Sequence, residues 1–161
     1  YHRGLTNALK VDKVPSHQAS DLMLIMPHIK ATGVLVHTPV THGHIISTNI
    51  KPKKPVTREE VIEMFNEHPR IRVVRIKDGF QGNAAMFRYA RDLGNPRGDM
   101  YEIAVFEETV AIFEGHIIFA FNVPQEAVVI PETMDGVRAV MEMQTDRLEA
   151  VGETNKYLNL R

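Results

Sequence analysis

The chain contains no cysteine and no tryptophan. Without a thiol it forms no disulfide and no thiolate zinc site, and it supplies no cysteine nucleophile for acyl chemistry. Neither sign of charge dominates, since 19 Lys and Arg stand against 20 Asp and Glu for a formal net charge of -1. Such a balance leaves no electrostatic footprint for nucleic acid or for an anionic membrane. No apolar run approaches the roughly 18 residues that cross a bilayer, and no signal-peptide pattern opens the sequence. Repeats, low-complexity tracts and linker-like stretches are missing too, so no internal domain boundary is expected. A cytoplasmic protein without nucleic-acid or membrane partners fits these absences.

What is there suffices for one sizeable core: 161 residues, of which 43% are hydrophobic. The sequence opens at Tyr1, and Tyr-His-Arg-Gly-Leu reads as mid-protein, so the chain is expected to be a piece of something longer. Ser20 is placed to cap a short helix whose Leu22, Ile25 and Met26 share a face, with Pro27 as its limit. Residues 32–38 are β-branched and few, which reads as a buried strand ended by Pro39, and residues 45–50 read as a second strand. Thr57-Arg58-Glu59-Glu60 has the form of a capping box opening a helix with Val61, Met64 and Phe65 on its apolar side. Residues 71–76 alternate apolar and basic side chains, as a strand does. A helix begins near Asn83, carries Met86, Ala90 and Leu93 at helical spacing, and stops at Gly94 and Pro96.

Three strands are expected at 102–106, 109–113 and 116–123, the last two joined by a Glu114-Gly115 turn. Pro131 suits the first turn of a closing helix with Met134, Val137 and Met141 facing inward, and a further helical segment runs through Leu148 and Val151. Neighbouring strands with tight turns favour antiparallel pairing. The expected class is therefore α+β, a mixed, largely antiparallel sheet with helices packed on one face. No strand leads into a Gly-rich phosphate loop, so no dinucleotide-binding half is present.

Three polar clusters are candidates for chemistry. The densest runs from His37 through His42-Gly43-His44, at the junction of two expected strands. Imidazole titrates near neutrality, so a histidine there can take a proton and return it within one turnover. On an extended backbone His42 and His44 point to one side. The same residues also read as hydrogen-bonded loop histidines, or as a three-nitrogen zinc site of His37, His42 and His44. Ser16, His17 and Gln18 precede a helix and offer donors to phosphate oxygens, or merely cap it. Gln125, after the last strand, can donate and accept at once, which suits a ligand bearing an amide, or lies on a polar surface loop.

Together these segments resemble the archaeal type of glyceraldehyde-3-phosphate dehydrogenase. The resemblance is carried by Arg3-Gly4-Leu5-Thr6-Asn7-Ala8, Val14-Pro15-Ser16-His17-Gln18, Pro39-Val40-Thr41-His42-Gly43-His44-Ile45 and Val56-Thr57-Arg58-Glu59-Glu60-Val61-Ile62. It continues through Arg88-Tyr89-Ala90-Arg91-Asp92-Leu93, Gln125-Glu126, Ile130-Pro131-Glu132, Asp135-Gly136-Val137-Arg138-Ala139 and Thr154-Asn155-Lys156. Each motif is short and weakly specific, and their shared order is what makes the signal.

The resemblance implies that residues 1–161 are a partial catalytic domain, with the dinucleotide-binding domain and a Ser-Cys-Asn-Thr-Thr nucleophile segment lying upstream. It implies oxidation of glyceraldehyde 3-phosphate with NAD or NADP through a cysteine thioester, which inorganic phosphate releases as 1,3-bisphosphoglycerate. It also implies a cytoplasmic homotetramer and no metal. On the matching positions His42 is the catalytic base, Ser16, His17, Gln18 and His44 fall on the substrate side, and Gln125 falls on the cofactor side. Gln18 and Pro124 stand where the family has histidines. Two other readings stay open, a non-catalytic assembly module of the same fold and a His-ligated metal hydrolase.

Overall fold

The computed structural model describes residues 10–11, 13–38, 40 and 43–160, in two units, Tyr1–Thr41 and His42–Arg161. In the first unit, β1 (Lys10–Val11) and β2 (Val36–His37) form a two-residue antiparallel ladder, and α1 (His17–Ile25) lies between them in sequence. Ser16, not Ser20, is the N-cap of α1. Ser20 sits one turn inside, where its amide donates to the Ser16 carbonyl at 3.2 Å. Of the α1 residues only Ala19 is buried, and the face expected to pack is exposed, with Ile25 at 82%. The strand expected over 32–38 shrinks to Val36–His37, and Val34 and Val36 are exposed. β-branching marks extended backbone there without marking burial.

The second unit is built on a five-stranded sheet. Its members are β3 (His44–Ile50), β4 (Ile71–Val74), β5 (Ile103–Phe106), β6 (Ala111–Phe113) and β7 (His116–Val123). The order is β3-β7-β5-β4, with β6 also on β7. β3 pairs with β7 along its whole length, from His44 opposite Val123 to Ile50 opposite Ile117. The other edge of β7 is shared, Ile117 pairing with Ile112 of β6 and Phe121 with Val105 of β5. All these pairs are antiparallel, whereas β4 and β5 run parallel and are joined through α3 (Asn83–Asp92), because a parallel pair needs a crossover. The mixed, largely antiparallel α+β architecture is as the sequence implies.

The helices, however, divide between the two faces of this sheet instead of sharing one. α2 (Arg58–Glu67) packs Val61, Ile62 and Phe65 on Val105, Ile117 and Phe119. α3 packs Met86, Tyr89 and Ala90 with Val74, Ala104, Phe106 and Ala120, side chains of the opposite parity. Both parities of β5 and β7 are apolar or small, so both faces demand cover. Met64, expected on the apolar side of α2, is exposed. Arg72, one of the basic residues of the alternating run over 71–76, is tucked under α3. Its guanidinium pairs with buried Glu102 at 2.8 Å and lies 5.5 Å from the Tyr89 ring centre.

The capping box of α2 forms as expected. The Glu60 amide donates to Thr57 Oγ1 at 3.2 Å and the Thr57 amide donates to Glu60 Oε2 at 2.7 Å. The Thr57 amide and the Thr57 hydroxyl, which donates to the same Glu60 Oε2 at 3.0 Å, hold the Glu60 carboxyl below its ordinary value, backbone contact first. Thr57→Ala is therefore expected to cost about 1 kcal/mol in urea unfolding at neutral pH. A lowered folded-state value means the contribution is present above the unfolded value and is lost as pH falls through the folded one. The difference between wild type and variant should narrow in acid; a difference independent of pH would contradict the assignment.

Two helices close the chain, α4 (Val129–Val140) and α5 (Arg147–Tyr157), the latter capped by Asp146, which accepts from the Glu149 amide at 3.0 Å. Met134 is half-buried, but Val137 and Met141, expected inward, are exposed. The inner side of α4 carries Asp135 and Arg138 instead. The buried guanidinium of Arg70 must be met there by charge, and Asp135 meets it at 2.6 Å with Arg138 beside them. Among the described residues no helix is long and apolar enough to cross a membrane.

Candidate active site

The antiparallel register of β3 on β7 decides which polar clusters meet. His44 opens β3 and lies opposite Val123, the last residue of β7. Gln125 follows two residues later, so the two candidates belong to the same end of one ladder. Both are half-buried. Pro124 turns the chain from the sheet into α4, and its carbonyl accepts from the amides of Ala127 at 3.0 Å and Val128 at 2.9 Å. The loop carrying Gln125 is thus held at one end by the ladder and at the other by a helix.

Gly43 fixes how the chain enters β3. It is buried, with φ +65, and a Cβ there would lie 3.0 Å from the Val123 carbonyl oxygen and 3.4 Å from Asn122 Oδ1. Only glycine takes that left-handed conformation without strain. The expectation that His42 and His44 share a side assumed extended backbone through residue 43, and the turn at Gly43 removes that basis. His42 itself lies outside the described residues. Gly43→Ala is expected to lose about 1–2 kcal/mol of stability, from positive φ and close approach together. An unchanged midpoint in denaturant would contradict the strain.

The phosphate-side candidates belong to the first unit. Ser16 is buried at the start of α1, its amide donating to the Gly33 carbonyl at 2.9 Å, and its hydroxyl makes no capping bond to the helix. His17 and Gln18 are exposed on the first turn, at the end of the helix where amides and dipole favour an anion. Among the described residues no group of three or more His, Asp or Glu is disposed to hold a metal ion, and the His42 of the alternative zinc triad lies outside them.

Two residues of the second unit carry more than their sequence positions suggest. Asn122 is fully buried in β7 beside Gly43, although in the sequence it reads only as part of a polar run after apolar residues. Arg70 stands just before β4 and reaches α4 and α5, binding Glu132, Asp135 and Asn155. No local pattern announces a partner 85 positions away.

Comparison with known proteins follows the same lines. A family model described as glyceraldehyde 3-phosphate dehydrogenase, C-terminal domain, matches residues 2–92, more than half of the chain. Glyceraldehyde-3-phosphate dehydrogenase 2 of Methanosarcina barkeri is 34% identical over 148 residues, covering 92% of this chain and 43% of its own length. The glyceraldehyde-3-phosphate dehydrogenase of Methanosarcina mazei is 33% identical over 160 residues, covering 98% and 47%. That of Methanococcus maripaludis is 37% identical over 151 residues, covering 91% and 44%. The chain therefore spans less than half the length of each of these curated relatives.

Proposed function

The chain belongs to the glyceraldehyde 3-phosphate dehydrogenase family through that family's C-terminal domain, and we propose that it is the catalytic-domain portion of a phosphorylating, NAD(P)-dependent enzyme of this kind. The observation that carries the proposal is the ordered match itself. The stretch matched by the family model includes both Ser16-His17-Gln18 and His42-Gly43-His44, and the Methanosarcina mazei relative extends the likeness over 98% of the chain.

In this reading a cysteine thiolate from the remainder of the full-length protein attacks the aldehyde of glyceraldehyde 3-phosphate. His42 raises the thiolate fraction and accepts the proton of the hemithioacetal hydroxyl. NAD or NADP, when bound, takes the hydride that leaves the same carbon. Gln125 suits such a cofactor, since a half-buried carboxamide offers a donor and an acceptor to the nicotinamide amide. Pro124 beside it offers no donor. Ser16, His17 and Gln18 hold the substrate phosphate, Gln18 by hydrogen bonds alone, and His44 lies on the substrate side. Inorganic phosphate then displaces the thiol and forms 1,3-bisphosphoglycerate. With no cysteine, the 161 residues alone are expected to be inactive.

A cytoplasmic homotetramer accompanies this role. The outer strand β3 supports self-association, because Ile45, Ile46 and Ile50 are exposed along an edge that ends the sheet. The activity is tested on the full-length protein by following reduction of NAD and NADP with glyceraldehyde 3-phosphate, with and without inorganic phosphate. Reduction that requires phosphate and yields the acyl phosphate is expected. Equal rates without phosphate, or no reaction with this aldehyde, would overturn the reading.

A further inference from the structure

The helix that follows Gln125 turns its apolar side away from the sheet. On α4 and its C-cap, Val129, Val137, Val140 and Met141 are exposed, Val140 at 82%. At 3.6 residues per turn these side chains share one stripe, about a third of the helix circumference. Thr133 and Gly136 complete the stripe, so no charge falls on it. Met143 in the following turn and Leu148 at the start of α5 are exposed at the same end. The helix cannot roll to hide this surface. Asp135 and Arg138 lie on its opposite side, where Asp135 meets buried Arg70 at 2.6 Å and Arg138 binds Thr154 of α5. Exposed apolar side chains scattered singly are ordinary, whereas a gathered, uncharged group of them marks a place where another body sits.

We propose that this stripe is the seat of the cofactor-holding half of the same full-length protein. This rests on the reading of the chain as a catalytic-domain portion with Gln125 on the cofactor side. The match to this chain covers 43%, 47% and 44% of the three relatives, so more than half of each lies outside it, enough for a further domain. Gln125 stands four residues before Val129, and the Pro124 carbonyl accepts from the amides of Ala127 and Val128, so loop and helix form one rigid piece. α4 has 12 residues and is about 18 Å long, well under the roughly 30 Å diameter of a small domain. One body that brings a nicotinamide to Gln125 therefore also lies over Val137 and Val140. Seated there, it holds its cofactor in register with the Gln125 carboxamide, and the fixed rotation of α4 sets that register.

The test uses the full-length protein and reads Met141 and Met143 by oxidation with dilute peroxide, followed by mass spectrometry. Both should oxidise about tenfold or more slowly than in the same protein unfolded in urea, although the structure leaves them 66% and 72% exposed. That protection should persist on dilution to the monomer. Rates equal to the unfolded ones would overturn the proposal, and protection lost on dilution would give the stripe to a second copy and overturn it too. Val140→Asp combined with Leu148→Asp should raise KM for NAD or NADP about tenfold or more, while KM for the aldehyde stays within about twofold. Val140→Leu, which keeps the surface apolar, should leave both at their wild-type values. An unchanged cofactor KM in the charged variant would overturn the proposal; should that variant fail to fold, the methionine rates decide alone. A protein that protects both methionines but reduces no cofactor with this aldehyde loses the proposed activity and keeps the covered face. One that runs the reaction while both methionines oxidise freely keeps the activity and loses the seat.

Discussion

His42→Ala in the full-length enzyme is expected to lower kcat by about two or more powers of ten, with little change in KM for the aldehyde. The ring is assigned a proton transfer that occurs only on the way to the transition state, so its removal should leave ground-state binding almost untouched. The proposed function gives substrate phosphate binding to Ser16, His17 and Gln18, which belong to another unit of the chain. Changes there should raise KM instead. A His42→Ala enzyme with normal turnover and weakened substrate binding would reverse the two roles.

Arg70→Ala is expected to have the largest effect on stability, about 3 kcal/mol or more in equilibrium unfolding. The guanidinium is 6% exposed and is met at 2.6 Å by Glu132, at 2.6 Å by Asp135 and at 3.2 Å by Asn155. Glu132 is two-thirds exposed and loses little when the arginine goes, since water can solvate it. Asp135 is the sensitive partner. It keeps a donor in the Thr154 hydroxyl at 2.6 Å and the more distant Arg138 at 3.8 Å, which places the cost near the low end for a broken buried pair. Arg138 also binds Thr154, so the network has a second anchor. Arg70→Met combined with Asp135→Leu should recover much of the loss, because no uncompensated buried charge remains. A single variant within about 1 kcal/mol of the wild type would show that the ion pairs contribute no more than exposed ones do.

Why the outward-facing Val137 and Met141 of α4 were expected inward follows from the same network. Spacing placed Met134, Val137 and Met141 on one stripe, but it could not show that a buried arginine from before β4 would claim the side carrying Asp135. The cue lies 62 and 65 positions away in sequence. Where the cue is local, the sequence was legible. The Thr57–Glu60 box, the Glu114-Gly115 hairpin with both residues at positive φ, and the start of α3 at Asn83 all stand where expected. The division of helices between faces depended on which parity of β5 and β7 counts as buried, and both do.

The site shows a similar split. His44 and Gln125 were legible as two polar clusters, and the histidine pair as a candidate for acid–base work. Their convergence required the register of β3 on β7, which pairs His44 with Val123. The turn at Gly43 was not legible, since a glycine between two histidines reads equally well as part of a strand. Nor was the burial of Asn122, a residue type usually found at the surface.

The most direct measurement is a rapid-mixing experiment on the full-length enzyme with glyceraldehyde 3-phosphate and oxidised cofactor in the absence of inorganic phosphate. A stoichiometric burst of reduced cofactor is predicted, followed by turnover only when phosphate is added, with the burst slowed by about a hundredfold or more in His42→Ala. A burst of undiminished rate in that variant, or steady turnover with no burst and no need of phosphate, would contradict the assignment of this chain's histidine to the formation of an acyl-enzyme.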